Sequence, residues 1–252
     1  MPYVPKAYAL IPAAGSGSRV RAALPKQYLE IAGRPVLYHA LRPLVRHARI
    51  EQVLVVLAQG DTHFRDCDWR EFGGRIEPLY CGGETRAASV FNGLVAARDM
   101  IGPSDWVLVH DAARPCLSDD ALERLLAEAG DDETGGLLAV PLADTLKRAD
   151  IELRVLQTES REHLWLAQTP QMFRYGALIE ALHDAAAGEA TDEAQAMERA
   201  GRRPRLVMGD TRNLKVTFPE DLRVAELILK SRELSVSPPA RRTRPRGRAR
   251  KA

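Results

Sequence analysis

The residues with the clearest chemical potential stand close together near the start of the chain. An apolar run from Tyr8 to Ile11 is followed by PAAGSGSR at residues 12–19 and by PKQ at residues 25–27. Alanines and glycines leave the backbone N–H groups of a loop open to an anion. Arg19 and Lys26 add fixed positive charge beside that loop. Together these features predict a site for a triphosphate.

Neither of the two familiar phosphate loops accounts for this stretch. A P-loop requires a glycine, four residues and then Gly-Lys-Ser/Thr, which does not occur here. The dinucleotide fingerprint requires three glycines, and the chain supplies Gly15 and Gly17 but has Val20 in the third place. A glycine pair alone is typical of a tight turn, so the interpretation as a phosphate site depends on the two cations.

Alternating strands and helices are predicted around this loop. Apolar runs predict strands at residues 8–11, 52–57, 75–80, 106–110 and 136–140. Amphipathic patterns predict helices at residues 36–46, 85–98 and 119–129, the last with Ser118 as its N-cap. Pro43 predicts a kink or an early end in the first of these helices. Strands that alternate with helices predict an α/β fold with a doubly wound, mostly parallel sheet.

The second half of the chain begins with a different pattern. Short alternating segments at residues 141–168 predict a protruding β-hairpin arm. After it we expect two helices, at residues 174–187 and from Thr191 to about Ala200, then short strands at 205–208 and 213–216 and a closing helix at 219–234. Residues 1–234 therefore form one domain in this interpretation, and residues 235–252 form a disordered basic tail.

Polar residues follow the carboxyl ends of the predicted strands, where parallel sheets bind ligands. Asp111 is placed to hold Mg²⁺ against phosphates, although an aspartate in a turn is equally common. Arg114 is a candidate phosphate clamp or a surface ion pair. Lys215, in an apolar strand, is expected to point to the site because lysine is rarely buried unpaired; an edge-strand lysine is the alternative. His110 is expected to be a packed residue rather than a base.

Composition excludes several classes of function. The formal net charge is +2, but seven cations and no acid lie at residues 241–251, so the rest of the chain carries −5. A nucleic-acid groove in the folded body is therefore not expected. Three cysteines without a C-x-x-C pair favour free thiols over a disulfide framework or a zinc site. With no transmembrane or signal-peptide pattern, we expect a cytoplasmic protein that does not bind membranes.

Several short segments form a specific set that runs from residue 7 to about residue 232. They are PAAGxGxR at 12–19, PKQY at 25–28, GGxxRxxSV at 82–90, HDAARP at 110–115, DTxK at 144–147, TPQ at 169–171, TDE at 191–193 and NLKVT at 213–217. This set resembles one family, the 2-C-methyl-D-erythritol 4-phosphate cytidylyltransferases of the non-mevalonate isoprenoid pathway.

The resemblance implies transfer of a cytidylyl group from CTP to 2-C-methyl-D-erythritol 4-phosphate, with Mg²⁺ or another divalent cation. It implies a homodimer in which the arm at residues 141–168 reaches the partner's site. The residues implied to be catalytic are Arg19, Lys26 and Lys215, and the metal site is Asp111. The predicted substrate contacts are Arg161, from the partner's arm, with Thr145, Arg114, Thr169 and Thr191. The predicted nucleotide contacts are Ala13, Ala14, Gly15, Gly17, Gly83, Glu84, Ser89 and Ala112.

Three alternatives remain open at this point. The chain could be a cytidylyltransferase for another sugar-alcohol phosphate, such as ribitol 5-phosphate. It could be a nicotinamide oxidoreductase, but the third glycine is missing and no acidic residue ends the second predicted strand at residues 57–59. It could also be a non-catalytic nucleotide-binding module, which would leave the four charged residues Arg19, Lys26, Asp111 and Lys215 unexplained.

Overall fold

The computed structural model describes residues 3–15, 24–185 and 190–236. Its strands, in chain order, are β1 (Ala7–Pro12), β2 (Glu30–Ile31), β3 (Arg34–Pro35), β4 (Ile50–Val56), β5 (Ile76–Leu79), β6 (Trp106–Val109), β7 (Gly136–Pro141), β8 (Leu146–Ala149), β9 (Val155–Glu159), β10 (Trp165–Arg174) and β11 (Arg205–Met208). In this part of the chain, seven strands form one sheet in the order β11–β7–β10–β6–β1–β4–β5. Its neighbouring strands are parallel except where β10 pairs with β6 and β7.

Helices cover both faces of the sheet. They are α1 (Val36–Arg46), α2 (His63–Asp66), α3 (Arg86–Ala96), α4 (Asp119–Glu128), α5 (Tyr175–Ala185), α6 (Glu193–Arg199) and α7 (Pro219–Val236). Successive side chains of β1 point to opposite faces, so Ile11 packs in one core with Leu41 of α1 and Leu125 of α4. Leu10 packs in the other core with Val90 of α3. The predicted doubly wound α/β fold is confirmed.

The helices begin where the sequence offers a cap. Thr85, Ser118 and Asp192 each accept a hydrogen bond from a backbone N–H in the first turn of α3, α4 and α6, which satisfies a donor without a helical partner. Ser118 was the predicted cap for α4, and the structure confirms it. Helix α1 has the predicted bounds and runs past Pro43 to Arg46, so the expected early end does not occur.

The long strand β10 differs from the sequence prediction. The sequence pattern predicts that the hairpin arm ends at residue 168 and that the next element is a helix at residues 174–187. Instead β10 passes through Pro170 and lies between β6 and β7. Its pairing with β7 skips from Ala167 to Gln171. Because the residues between them have no partner in that ladder, the missing N–H of the proline costs no sheet hydrogen bond on that side.

The strand predicted at residues 213–216 is not formed. Asn213 and Val216 lie instead in a segment without regular secondary structure, which contacts the loop after β6 and strand β10. The Val216 N–H donates to the Ala113 carbonyl at 2.8 Å, and the Asn213 side chain donates to the Thr169 carbonyl at 2.9 Å. The backbone of this segment is thus bound by loops and side chains, which removes the need for a sheet partner.

The arm forms a separate two-stranded sheet, and the last described element of the chain is a helix. Strands β8 and β9 pair antiparallel with each other, outside the main sheet. Helix α7 extends to Val236, two residues beyond the predicted boundary. The predicted basic tail from residue 237 onward lies outside the described residues, as do Gly17 and Arg19. Among the helices described, none has the length and apolar character needed to cross a membrane.

Candidate active site

A cavity of about 520 Å³ opens beyond the ends of β1, β5 and β6. The loop after β1, the turn before α3, the residues after β6 and the segment at residues 213–217 form its wall. The predicted residues that line it are Ala13, Ala14, Gly15, Lys26, Gly83, Glu84, Ser89, Asp111, Ala112 and Lys215. The structure therefore brings together the predicted catalytic, metal and nucleotide residues, apart from Arg19 and Gly17, which are not described.

A buried glutamine holds the first loop. The side-chain amide of Gln27 donates to the carbonyls of Ala13 and Gly15, at 2.8 and 3.1 Å. The Ala13 N–H donates to the Val56 carbonyl at the end of β4. These bonds tie the first loop to β4 and to Gln27, the neighbour of Lys26. Sequence analysis quoted Gln27 within a motif but gave it no role.

The second glycine turn, at Gly82 and Gly83, has no room for a side chain at Gly82 because the first loop comes very close to it. A Cβ on Gly82 would lie 2.3 Å from the Cβ of Ala14, so no larger residue fits there. At Gly83 the N–H donates to Ser89 Oγ at 3.1 Å, and that hydroxyl lies 2.9 Å from the Thr85 carbonyl. Ser89 therefore shapes the turn that places Gly83 and the start of α3 at the cavity.

Asp111 is the central anion of the site. Its side chain is 8% exposed and accepts from Arg86 Nε at 2.8 Å and from Lys215 Nζ at 2.7 Å. Arg114 Nε lies farther away, 3.8 Å from Oδ2. Burial alone would raise the pKa of Asp111, but Arg86 and Lys215 outweigh it and hold the pKa well below its ordinary value. The carboxylate is therefore ionised at neutral pH.

Arg86 connects Asp111 to a second buried carboxylate. Its two terminal nitrogens, Nη1 and Nη2, donate to the carboxylate oxygens of Glu193 at 2.7 and 3.0 Å. Glu193 is the first residue of α6 and is 1% exposed. Sequence analysis assigned a role to neither residue. One indication was available, because Arg86 begins α3, where the helix dipole disfavours a cation unless an anion compensates it.

His110 and Thr169 support the backbone of Asp111. His110 is fully buried, and burial lowers its pKa to about 4, so the ring is neutral. Its Nε2 faces the Arg114 carbonyl at 3.2 Å and so carries the proton. Its Nδ1 then accepts from Thr169 Oγ1 at 2.9 Å, and that oxygen accepts the Asp111 N–H. The structure agrees with the expectation that His110 is a packed residue.

Two predicted cations differ in their placement. Lys26 lines the cavity, and its Nζ donates to the Val216 carbonyl at 3.2 Å. Arg114 does not line the cavity. Its Nη1 donates to the Asn213 carbonyl at 2.7 Å, and burial lowers its pKa. In this chain Arg114 therefore ties the end of β6 to the segment at residues 213–217.

The remaining predicted substrate contacts are not part of the cavity lining of their own chain. Thr145 and Arg161 are exposed on the arm, and Arg161 donates to the Ala143 carbonyl. Thr191 is exposed, and its N–H donates to the Gln195 side chain at 2.9 Å. The hydroxyl of Thr169 is engaged with His110. None of these four residues lines the cavity.

A larger groove, of about 810 Å³, lies beside α1 and α7. It contains several arginines, namely Arg34, Arg42, Arg46, Arg212 and Arg232. None of the predicted site residues that the structure describes lines it. Volume alone therefore does not identify the active site, and the smaller cavity with the buried Asp111 is the better candidate.

Comparison with known families and proteins agrees with this geometry. The family described as 2-C-methyl-D-erythritol 4-phosphate cytidylyltransferase (IspD) matches residues 7–231. A protein of that name from Nitrosospira multiformis is 56% identical over 226 residues, which cover 89% of this chain and 97% of that protein. The protein of the same name from Nitrosomonas eutropha is 57% identical, over 91% of this chain and 99% of its own length.

Solved structures show the same architecture. A crystal structure of 4-diphosphocytidyl-2C-methyl-D-erythritol synthase superimposes with a TM-score of 0.79 at 42% identity, over 90% of this chain and all of that one. The 2-C-methyl-D-erythritol 4-phosphate cytidylyltransferase from Thermus thermophilus gives a TM-score of 0.73 at 34% identity, over 89% of this chain and 99% of that one. The family match over residues 7–231 includes both glycine turns, Asp111 and Lys215.

Proposed function

The chain belongs to the 2-C-methyl-D-erythritol 4-phosphate cytidylyltransferase family, and on that premise we propose that the cavity beside Asp111 is where it joins two phosphates. The enzyme transfers a cytidylyl group from CTP to 2-C-methyl-D-erythritol 4-phosphate and releases pyrophosphate. The ribitol, nicotinamide and non-catalytic alternatives are thereby set aside. The observation that carries the proposed site is the meeting of Lys26, Asp111 and Lys215 with both glycine turns.

The reaction requires charge neutralisation and alignment rather than a base. An oxygen of the substrate's phosphate forms a bond to the α-phosphorus of CTP. The bond from that phosphorus to the oxygen bridging to the β-phosphate breaks, and pyrophosphate leaves with the electron pair. A phosphate monoester is already anionic at neutral pH, so no proton has to be removed. In-line phosphoryl chemistry of this kind depends on cations and on positioning.

Two lysines bring positive charge to the cavity. Lys215 lies in the segment at residues 213–217 and contacts Asp111 at 2.7 Å. Lys26 Nζ donates to the carbonyl of Val216, the next residue along. We propose that both ammonium groups contact the phosphates of CTP in the transition state and that Arg19, outside the described residues, is a third cation there. Fixed charges at such positions need no reorganisation during the reaction.

A divalent cation fits the donors of this cavity through Asp111. The carboxylate is ionised, and each oxygen has one short contact, at 2.8 and 2.7 Å, which leaves lone pairs for a further ligand. Within the described residues there is no group of three His, Cys, Asp or Glu side chains that could cage a metal. Mg²⁺ is commonly held by one carboxylate together with substrate phosphates. We propose that Asp111 holds Mg²⁺ or another divalent cation, which neutralises triphosphate charge when bound.

The glycine turns are suited to the nucleotide. We propose that the backbone of Ala13, Ala14 and Gly15, with Gly17, approaches the phosphates. We propose that the part of the cavity that holds the cytidine is lined by Gly83, Glu84, Ser89 and Ala112. Ser89 fixes the turn there through its hydroxyl. This assignment is supported by the close approach of the two loops, since a Cβ on Gly82 would lie 2.3 Å from the Cβ of Ala14.

The arm is suited to a second copy of the chain. Its apolar side chains are unusually open to solvent: Ile151 is 100% exposed, Leu153 88% and Val155 63%. Exposed apolar patches of this kind commonly mark protein interfaces. We propose a homodimer in which Arg161 and Thr145 of the partner subunit bind the substrate phosphate. Replacing Ile151 and Leu153 with aspartate should yield a monomer by light scattering; a dimer of unchanged mass would contradict the proposed interface.

We propose a cytoplasmic location and no nucleic-acid partner for the folded body. The three cysteines, Cys67, Cys81 and Cys116, are free thiols, which suits a reducing compartment. The active-site cavity contains carboxylates as well as cations, unlike an extended basic groove for nucleic acid.

Pyrophosphate release tests the proposed site. The enzyme is incubated with CTP, Mg²⁺ and 2-C-methyl-D-erythritol 4-phosphate, and ribitol 5-phosphate serves as the comparison substrate. We expect release with the first substrate and a marked loss in Asp111→Asn. The exposed Asp99→Asn is the matched control, since its side chain is 93% exposed. Equal rates for Asp111→Asn and the wild type would contradict the role of Asp111.

A further inference from the structure

A buried ion pair joins two helices that are distant in the sequence. Arg86 begins α3 and Glu193 begins α6, 107 residues apart. The side chain of Arg86 is 26% exposed and that of Glu193 is 1% exposed. The two terminal nitrogens of Arg86 each donate to one oxygen of Glu193, and the Nε–H donates to Asp111 Oδ1 at 2.8 Å. Three of the five N–H donors of the guanidinium are thus engaged with two carboxylates.

Stability alone is a weak reason for such a pair. Desolvation of two charges offsets much of their attraction, and apolar side chains of similar size often serve equally well. The pair instead fixes the orientation of the Arg86 side chain. A two-point contact fixes the plane of a guanidinium, so the position of Arg86 Nε, and with it the Asp111 oxygen that it contacts, is set by Glu193.

Asp111 therefore has one fixed partner and one partner that can exchange. Arg86 is held at three points, whereas Lys215 is 39% exposed and contacts Asp111 through one nitrogen. Arg86 and Glu193 cancel each other in charge, which leaves Lys215 as the cation nearest to Asp111 that can move to an entering phosphate. The pair of Arg86 and Glu193 keeps Asp111 in place when Lys215 moves from Asp111 to a phosphate.

We propose that Arg86 and Glu193 act together as positioning residues for cytidylyl transfer, because Glu193 fixes the guanidinium that orients Asp111 toward the metal and the triphosphate. The proposal rests on the proposed role of Asp111. Residues that orient a metal-binding group typically change affinity or activity by about 10- to 100-fold when removed. We expect a loss of that size in kcat/KM for Glu193→Gln.

Two variants separate positioning from stability. Glu193→Gln removes one of the two carboxylates that contact Arg86 and leaves Asp111 as its remaining anion, so both thermal stability and activity should fall. Arg86→Met combined with Glu193→Leu replaces the pair by apolar groups of similar size and leaves Asp111 paired with Lys215, so thermal stability should recover part of the loss seen in Glu193→Gln. A positioning role requires that kcat/KM stays about 10- to 100-fold low in this double variant. The matched control is Glu198→Gln, an exposed glutamate of the same helix, which should match the wild type.

A binding measurement gives a readout that does not depend on turnover. Isothermal titration with CTP is done with and without Mn²⁺, on folded protein at 15 °C. We expect the double variant to bind CTP alone as the wild type does, and to lose about 10- to 100-fold in the enhancement that Mn²⁺ gives. Wild-type activity or wild-type Mn²⁺ enhancement in the double variant would overturn the inference. If Asp111→Asn also kept full activity, the proposed site itself would be wrong.

Discussion

Replacing Lys215 with methionine removes one positive charge from the cavity and keeps a side chain of similar length. In the structure Lys215 Nζ lies 2.7 Å from Asp111 Oδ2, and its side chain is 39% exposed. The variant therefore removes a cation from the place where phosphate charge is expected to build up. It leaves Arg86 in contact with the other oxygen of Asp111.

The size of the effect follows from the distance and the surroundings. A unit charge about 4 Å from developing phosphate charge contributes roughly 4 kcal/mol at an effective dielectric constant of about 20. Partial exposure of Lys215 reduces this to about 3 kcal/mol, which corresponds to a loss of roughly 10²-fold in kcat/KM. Stability should change much less, by about 1 kcal/mol, because the lost ion pair is partly exposed and Asp111 keeps Arg86.

The assay is steady-state pyrophosphate release together with thermal unfolding of the same preparations. Lys230→Met is the matched control, since Lys230 pairs with Glu226 at 2.8 Å on the surface of α7. We expect kcat/KM of the control within about twofold of the wild type, as for most surface substitutions. Near-normal kcat/KM in folded Lys215→Met would refute the electrostatic role, as would an equal loss in the control.

Three further outcomes are expected. Lys26→Ala should lower kcat by about 10²–10³-fold with little change in the unfolding temperature, measured in the same assay. Gly82→Ala should destabilise the fold and weaken CTP binding, because its Cβ would lie 2.3 Å from that of Ala14; unchanged unfolding and CTP titration curves would count against the packing of the two loops. The metal-free protein should lose roughly 3 kcal/mol of stability between pH 6.5 and pH 4, because the unfolded state binds a proton that buried His110, with its pKa lowered to about 4, does not. In urea titrations at several pH values, His110→Asn should reduce the change of the unfolding free energy with pH. A change as large as in the wild type would contradict the assignment to His110.

Local sequence patterns were enough to predict many of the helices and strands and the position of the cavity. The bounds of α1 and the cap at Ser118 follow from residues that lie next to each other in the chain. The cavity was predictable because parallel strands end at one edge, so Asp111 and both glycine turns had to meet there. These features depend on short-range sequence and on general sheet topology.

The errors come from residues whose partners are far away in sequence. Pro170 is a poor strand residue by itself, and only the gap in the pairing with β7 makes it acceptable in β10. The apolar pattern at residues 213–216 is the same for a strand and for a segment bound by Ala113 and Arg114. The pairing of Arg86 with Glu193 spans 107 residues, and no local pattern specifies it.

A crystal structure with CTP and Mg²⁺ bound tests the central claim most directly. The account predicts the triphosphate in the cavity between the two glycine turns, with phosphate oxygens within hydrogen-bonding distance of Lys26 Nζ and Lys215 Nζ and the metal on Asp111. A nucleotide bound in the arginine-containing groove beside α1 and α7, or one whose phosphates contact neither lysine, would contradict it.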